Sequence, residues 1–188
     1  MTLIATDYNE EYFISGYPLK RWHRNLAEFP EGTGEYYKDR AKKIFDTYDL
    51  AGKKVLDIGC GFGFTVADLR EMGADAYGID FSEYAVSVAD SPYVTLADAR
   101  TSLKNYKTNE FDLLIMTEFL HCLEDTDYAQ LCKDVKKIAK EVFVIERRDF
   151  AQEALALYNP KLMEQWEAIC DFGLVTIVWR EDESVWQR

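Results

Sequence analysis

The stretch Val55-Leu56-Asp57-Ile58-Gly59-Cys60-Gly61-Phe62-Gly63-Phe64 decides how this chain is read. An apolar strand carries an acid near its end, passes into a glycine-rich turn, and leads into a segment with helical spacing. Glycines at 59, 61 and 63 permit backbone conformations closed to other residues, and let a ligand approach the main chain with no side chain between. The carboxylate of Asp57 repels a dinucleotide pyrophosphate and suits a ligand with a cationic head.

Working outward, Val66, Leu69 and Met72 fall at helical spacing, and Gly73 follows as a C-cap. Ala76-Tyr77-Gly78-Ile79-Asp80 then reads as a second strand closing on an acid, 17 residues after Gly63. A carboxylate at that position can accept hydrogen bonds from both hydroxyls of a ribose, while Ser82 supplies the N-cap of the next helix. A glycine turn alone is a weak signal. Strand, turn, helix and an acid ending the next strand together form the nucleotide-binding context of open α/β sheets.

The runs VLDIGCGFG, YGIDFS, LADAR and FDLLIMTEFLHCLED follow in that order within about residues 35–148. They resemble the class I S-adenosylmethionine-dependent methyltransferases, nearest to the small type 11 and type 25 methyltransferase domains. The resemblance implies a Rossmann-like three-layer α/β/α sandwich, with a mostly parallel seven-stranded sheet closed by a C-terminal antiparallel hairpin. It implies S-adenosyl-L-methionine as cofactor. Asp57, Gly59, Cys60, Gly61 and Gly63 would surround the methionine moiety, Asp80 would hold the ribose, and Phe81 would pack beside the adenine. Asp98 with Ala99 would read the adenine edge, Asp98 through the exocyclic amine. Thr117 and Glu118 fall where the fourth strand opens toward the methyl group.

The rest of the chain fits one domain, residues 1–188, with 1–34 as an N-terminal lid segment and 35–188 as the core. At 188 residues it can bury a continuous core without disulfides or metal. Its four cysteines, at 60, 122, 132 and 170, form no CxxC pair and do not cluster with the two histidines, which argues against a zinc site. No apolar run has the length of a membrane span and the start has no basic leader, so a cytoplasmic location is expected. A formal charge of −12 disfavours nucleic acid as a partner. The partner expected is a small-molecule acceptor, with no membrane; the oligomeric state stays open.

Strands are expected at 53–57, 76–80, 93–96, 111–116 and 141–146, and helices at about 35–48, 64–72, 82–89 and 126–139. Such alternation means a parallel sheet with right-handed crossovers. The run Pro30-Glu31-Gly32-Thr33-Gly34 reads as a breaker and hinge before the first helix. Asn159-Pro160 starts a further helix, and LVTIVWR-EDES-VWQR reads as the closing hairpin.

Methyl transfer from a sulfonium is an in-line displacement, so much of its rate comes from holding the nucleophile against the methyl group. A base is needed only where the acceptor must lose a proton. His121 is the candidate base and Glu118 a candidate for orienting the acceptor, against the alternatives of a bystander loop histidine and an acid serving cofactor binding through its neighbours. Tyr8, Tyr12, Phe13, Tyr17 and Trp22 are rings able to meet a sulfonium, and Arg21 and Arg24 an anion; ordinary packing on the sheet is the competing account. Cys60 is read as spacing and not as a nucleophile. Three rival functions compete with methyl transfer: a noncatalytic protein of the same fold, a nicotinamide-dependent enzyme and a nucleic-acid methyltransferase. Asp57 and Asp80 disfavour the first. The position of Asp57 disfavours the second, and TEFL after the fourth strand, in place of an Asn-Pro-Pro-Tyr type motif, disfavours the third.

Overall fold

A computed structural model of the protein describes residues 7–15, 30–117, 119–123, 125–146 and 175–179. The strands are β1 (Lys54–Ile58), β2 (Asp75–Asp80), β3 (Val94–Leu96), β4 (Phe111–Thr117), β5 (Ala139–Glu146) and β6 (Val175–Trp179). The helices are α1 (Glu10–Ser15), α2 (Pro30–Tyr48), α3 (Phe64–Glu71), α4 (Glu83–Ala89), α5 (Ala99–Ser102) and α6 (Asp125–Ile138). Single 3-10 turns occupy Leu103–Asn105 and Leu120–Cys122.

The strands form one sheet in the order β3-β2-β1-β4-β5-β6, and every neighbouring pair is parallel. Near-continuous apolar strands favour this arrangement because both faces must be covered. Alternation along the strands sorts the side chains accordingly. Val55, Leu113 and Ile115 join Ala41, Ile44, Val66 and Leu69 in the core beneath α2 and α3. Leu56, Ile58, Leu114 and Met116 join Leu131, Val135 and Ile138 of α6 in the core on the other face. Asp57, between Leu56 and Ile58, therefore points toward the α2 and α3 side. Local signals hold where expected: the Ser82 Oγ accepts the Ala85 N–H at 3.0 Å, and Gly73 follows α3 at φ 103°.

Two expectations change. Residues 30–34 do not break the chain; they form the first turns of α2, where Pro30 is at home because the N–H it lacks has no helical partner. The described residues hold six strands, and the seventh expected falls outside them. The expected first arm of the C-terminal hairpin enters the sheet as β6, parallel to β5, with Val142 opposite Val175. An apolar run such as Val175–Trp179 carries no signature of its direction, which is set by the strand it meets. The second arm, 185–188, and the helix expected from Asn159-Pro160 lie outside the described residues.

Candidate functional site

The sheet reverses its order between β1 and β4, and open α/β sheets bind ligands beyond the carboxyl ends of the strands at such a point. The glycine turn leaves β1 there and Asp98 follows β3. Because β1 and β3 both run parallel to β2, the turn and Asp98 lie at the same end of the sheet.

The turn is held from beneath. The N–H groups of Gly59 and Cys60 both donate to the Ile79 carbonyl, at 2.9 and 3.2 Å. Gly59 has φ 72°, and a Cβ added to it would stand 2.7 Å from the Phe119 ring. Gly61, at φ 55°, meets only Phe13, at 4.0 Å from the corresponding point. The backbone is thus walled on one side by Phe119 and roofed at some distance by Phe13. That is a cradle a ligand can enter and a side chain at 59 would fill.

Asp80 completes it. One carboxylate oxygen accepts the Gly61 N–H at 2.8 Å and the other the Ser82 N–H at 2.8 Å, so the acid joins the turn to the start of α4. A carboxylate has about four lone-pair sites, so these bonds leave it acceptor capacity for a ribose hydroxyl. Burial raises the Asp80 pKa, opposed by the N–H groups of Ser82, Gly61 and Phe81.

Asp57 lies deeper, 4% exposed. Burial pushes its pKa up to about 7; the positive charge of Arg40 opposes this and the negative charge of Asp80 adds to it. Arg40, on α2, is itself 8% exposed and donates to the Thr65 Oγ at 2.9 Å. Its guanidinium also covers the Tyr37 ring at 4.7 Å. Sequence reasoning missed Arg40 and Thr65. The signal was the stripe Tyr37, Ala41 and Ile44, on which Arg40 also falls. A cation on the apolar face of a helix is buried and needs a partner. The Cys60 thiol is pushed well up by burial and by Asp57 and Asp80, leaving it protonated and inert, in keeping with a spacing role.

The N-terminal segment folds onto this site. The Ser82 hydroxyl donates to the Tyr8 carbonyl. The Tyr8 ring packs on Phe81 at 4.7 Å and on Tyr12 at 4.5 Å, and Phe13 lies 4.8 Å from Phe62 in the turn itself. Burial, and then Cys122 beside it, suppress ionisation of the Tyr8 phenol, and the buried Thr117 hydroxyl has no hydrogen-bond partner among the described residues. A buried hydroxyl in want of a partner, a positive-φ glycine cradle and two acids suit a ligand with ribose and amino-acid ends.

Asp98 lies at the same end of the sheet as the glycine turn. It caps α5, and its carboxylate is bound by Arg100. Burial works against the Asp98 carboxylate, but the Arg100 hydrogen bonds outweigh it and hold its pKa below the ordinary range. Ala99 is buried as the first residue of α5. His121 lies in the turn Leu120–Cys122, its side chain outside the described part of the chain. Glu118, Tyr17, Arg21, Trp22 and Arg24 lie outside the described residues altogether. No helix among the described residues is long and apolar enough to cross a membrane.

Comparison with known proteins bears on the same region. The family described as Methyltransferase domain matches residues 56–143, from within β1 to within β5. The chain is 34% identical over 131 residues to a ubiquinone biosynthesis O-methyltransferase of Paraburkholderia phymatum, covering 65% of this chain and 56% of that protein. The chain spans about half the length of the curated relatives it matches. Among solved structures, a SAM dependent methyltransferase from Archaeoglobus fulgidus superposes with TM-score 0.60 at 18% identity, over 73% of this chain and 68% of that one. The plantazolicin methyltransferase in complex with SAH gives TM-score 0.54 at 18% identity, over 92% of this chain and 71% of that one. Fold, glycine turn, family match and curated relative together support a class I S-adenosylmethionine-dependent methyltransferase.

Proposed function

We propose that this chain binds S-adenosylmethionine across the glycine turn and catalyses transfer of its methyl group to a small-molecule acceptor. The observation that carries the reading is the pair of buried acids on either side of the turn, with Asp80 fixed by Gly61 and Ser82. The cofactor supplies an electrophilic methyl on a sulfonium. Asp80 holds the ribose through its remaining acceptor capacity. Asp57 sits where a cationic amino group is favoured, and Arg40 is the buried cation nearest it for a carboxylate. Phe119 and Phe13 bound the cradle and exclude water. Thr117, at the end of β4, offers its hydroxyl toward the reacting end.

The acceptor side is less fully drawn by the residues. Relatives named as O-methyltransferases favour a hydroxyl acceptor. A hydroxyl loses its proton on methylation, so a base is useful, and His121 is the residue of suitable chemistry just after β4. Glu118 stands beside it in sequence as the group to orient the acceptor. We place the protein in the cytoplasm, with residues 1–188 as one catalytic domain. The test is calorimetry with S-adenosylhomocysteine, followed by labelled methyl donor and a panel of phenols and aliphatic alcohols. Micromolar binding, about −8 kcal/mol, and label in one acceptor class support the reading. Absence of binding to the folded protein sinks it.

A further inference from the structure

The first turn of α5 folds back on the acid that precedes it. The Arg100 backbone N–H donates to Asp98 Oδ1 at 2.9 Å. Arg100 Nε donates to Oδ1 at 2.9 Å and to Oδ2 at 3.0 Å, and a terminal guanidinium nitrogen donates to Oδ2 at 2.6 Å. A carboxylate has about four lone-pair sites, and three N–H groups of this one residue, one of them shared between both oxygens, cover most of them. The other terminal nitrogen lies 3.8 Å from Asp127 on α6. Arg100 is therefore set between two acids, one of which it largely covers. Register places Asp98 at the cofactor site: Asp80 pairs with Leu96, so Asp98 follows alongside Phe81 and Ser82.

A carboxylate that is to accept a hydrogen bond from an exocyclic amine needs an open lone pair. In this structure that lone pair belongs to Arg100. We propose that Arg100 competes with the adenine amine for Asp98 and so sets the affinity for adenosyl ligands. This inference rests on the cofactor reading above and deepens it. On binding, the guanidinium gives up part of its fork on Asp98 and keeps its hold on Asp127, the second acid within reach. The pair is only partly buried, with side-chain exposures of 35% for Arg100 and 31% for Asp98. Its displacement is accordingly affordable, and the same competition speeds release of the demethylated product. The α5 N-cap bond from the Arg100 N–H stays in place throughout, so the helix does not depend on the exchange.

Calorimetry on the full chain tests this with two probes: S-adenosylhomocysteine, and its inosine analogue, in which a carbonyl replaces the amine. R100A is expected to bind S-adenosylhomocysteine about fivefold more tightly, the size appropriate to a half-exposed ion pair. The gain should be absent for the inosine analogue and absent in D98N/R100A compared with D98N. R100K keeps the charge without the fork and should show a smaller gain, which serves if R100A does not fold. Equal or weaker binding of S-adenosylhomocysteine by both variants overturns the proposal, as does an equal gain for the inosine analogue. Failure of the wild type to bind S-adenosylhomocysteine at all is a separate outcome, and would remove the cofactor reading beneath it.

Discussion

Asp57 and Asp80 are neighbours in the site, and their environments set them different tasks. Asp57, with its pKa near 7, holds a proton in the folded protein at pH values where an unfolded aspartate, ionising near 4, has lost it. Its contribution to stability is thus full below about pH 4 and declines as pH rises through 7. D57N should melt close to the wild type at pH 4 and on the order of several degrees higher at pH 8; a gap that does not widen with pH would contradict the assignment. A cationic ligand group beside Asp57 favours its ionised form. Binding of S-adenosylhomocysteine near pH 6 should therefore release a proton, seen as a binding enthalpy that depends on the ionisation heat of the buffer. For Asp80 the expected outcome is in affinity: D80A should weaken S-adenosylhomocysteine by about 1–3 kcal/mol, the cost of leaving buried ligand hydroxyls unpaired. Asp80 was legible in the sequence because its role follows from position at a strand end. Arg40 was not, because its partner comes from a segment folded under the turn.

At the scale of elements, β2 approaches the glycine turn so closely that one position tolerates no side chain. A Cβ on Gly78 would lie 2.6 Å from the Cys60 sulfur, 2.9 Å from the Cys60 Cβ and 2.9 Å from Val66. G78A should destabilise by about 1–3 kcal/mol, as overpacking does, and the loss should shrink in a C60A background, where the nearest atom is gone. Equal losses in both backgrounds, read by thermal melts, would mean that the strain lies elsewhere. Periodicity found β1 to β5 and, between them, α3, α4 and α6, with bounds shifted by one or two residues, because each buries a patterned face; α5, of four residues, is too short to carry a pattern and was missed. It failed at residues 30–34, where two glycines and a proline outweighed the pull of the helix that follows. It also failed to give the direction of Val175–Trp179, since pairing with β5 is a property of the sheet. The ion pair between Asp98 and Arg100, two residues apart, lay in plain view in LADAR. Its meaning depends on which face of the sheet end it occupies, and that comes from the β2–β3 register.

For the molecule as a whole, α1 joins the core through the Tyr8 carbonyl on Ser82 and through rings on Phe81 and Phe62. The segment was expected to act as a lid, and we propose that role for it. Amide exchange over residues 7–15 should slow on adding S-adenosylhomocysteine, and S82A should quicken it in the free protein. Equal protection with and without ligand would make the segment fixed packing. The strand order carries a consequence for synthesis. The chain builds β1, β2 and β3 outward in one direction, then returns to the centre with β4. Until residues 111–117 leave the ribosome, the strand destined for the middle of the sheet is an edge, with its N–H and C=O groups bare on one side. An unpaired edge is a template for another chain. The nascent protein is therefore most prone to pair with a neighbour just before β4 arrives, and a pause in translation at that point would lengthen the exposure of Val55–Ile58.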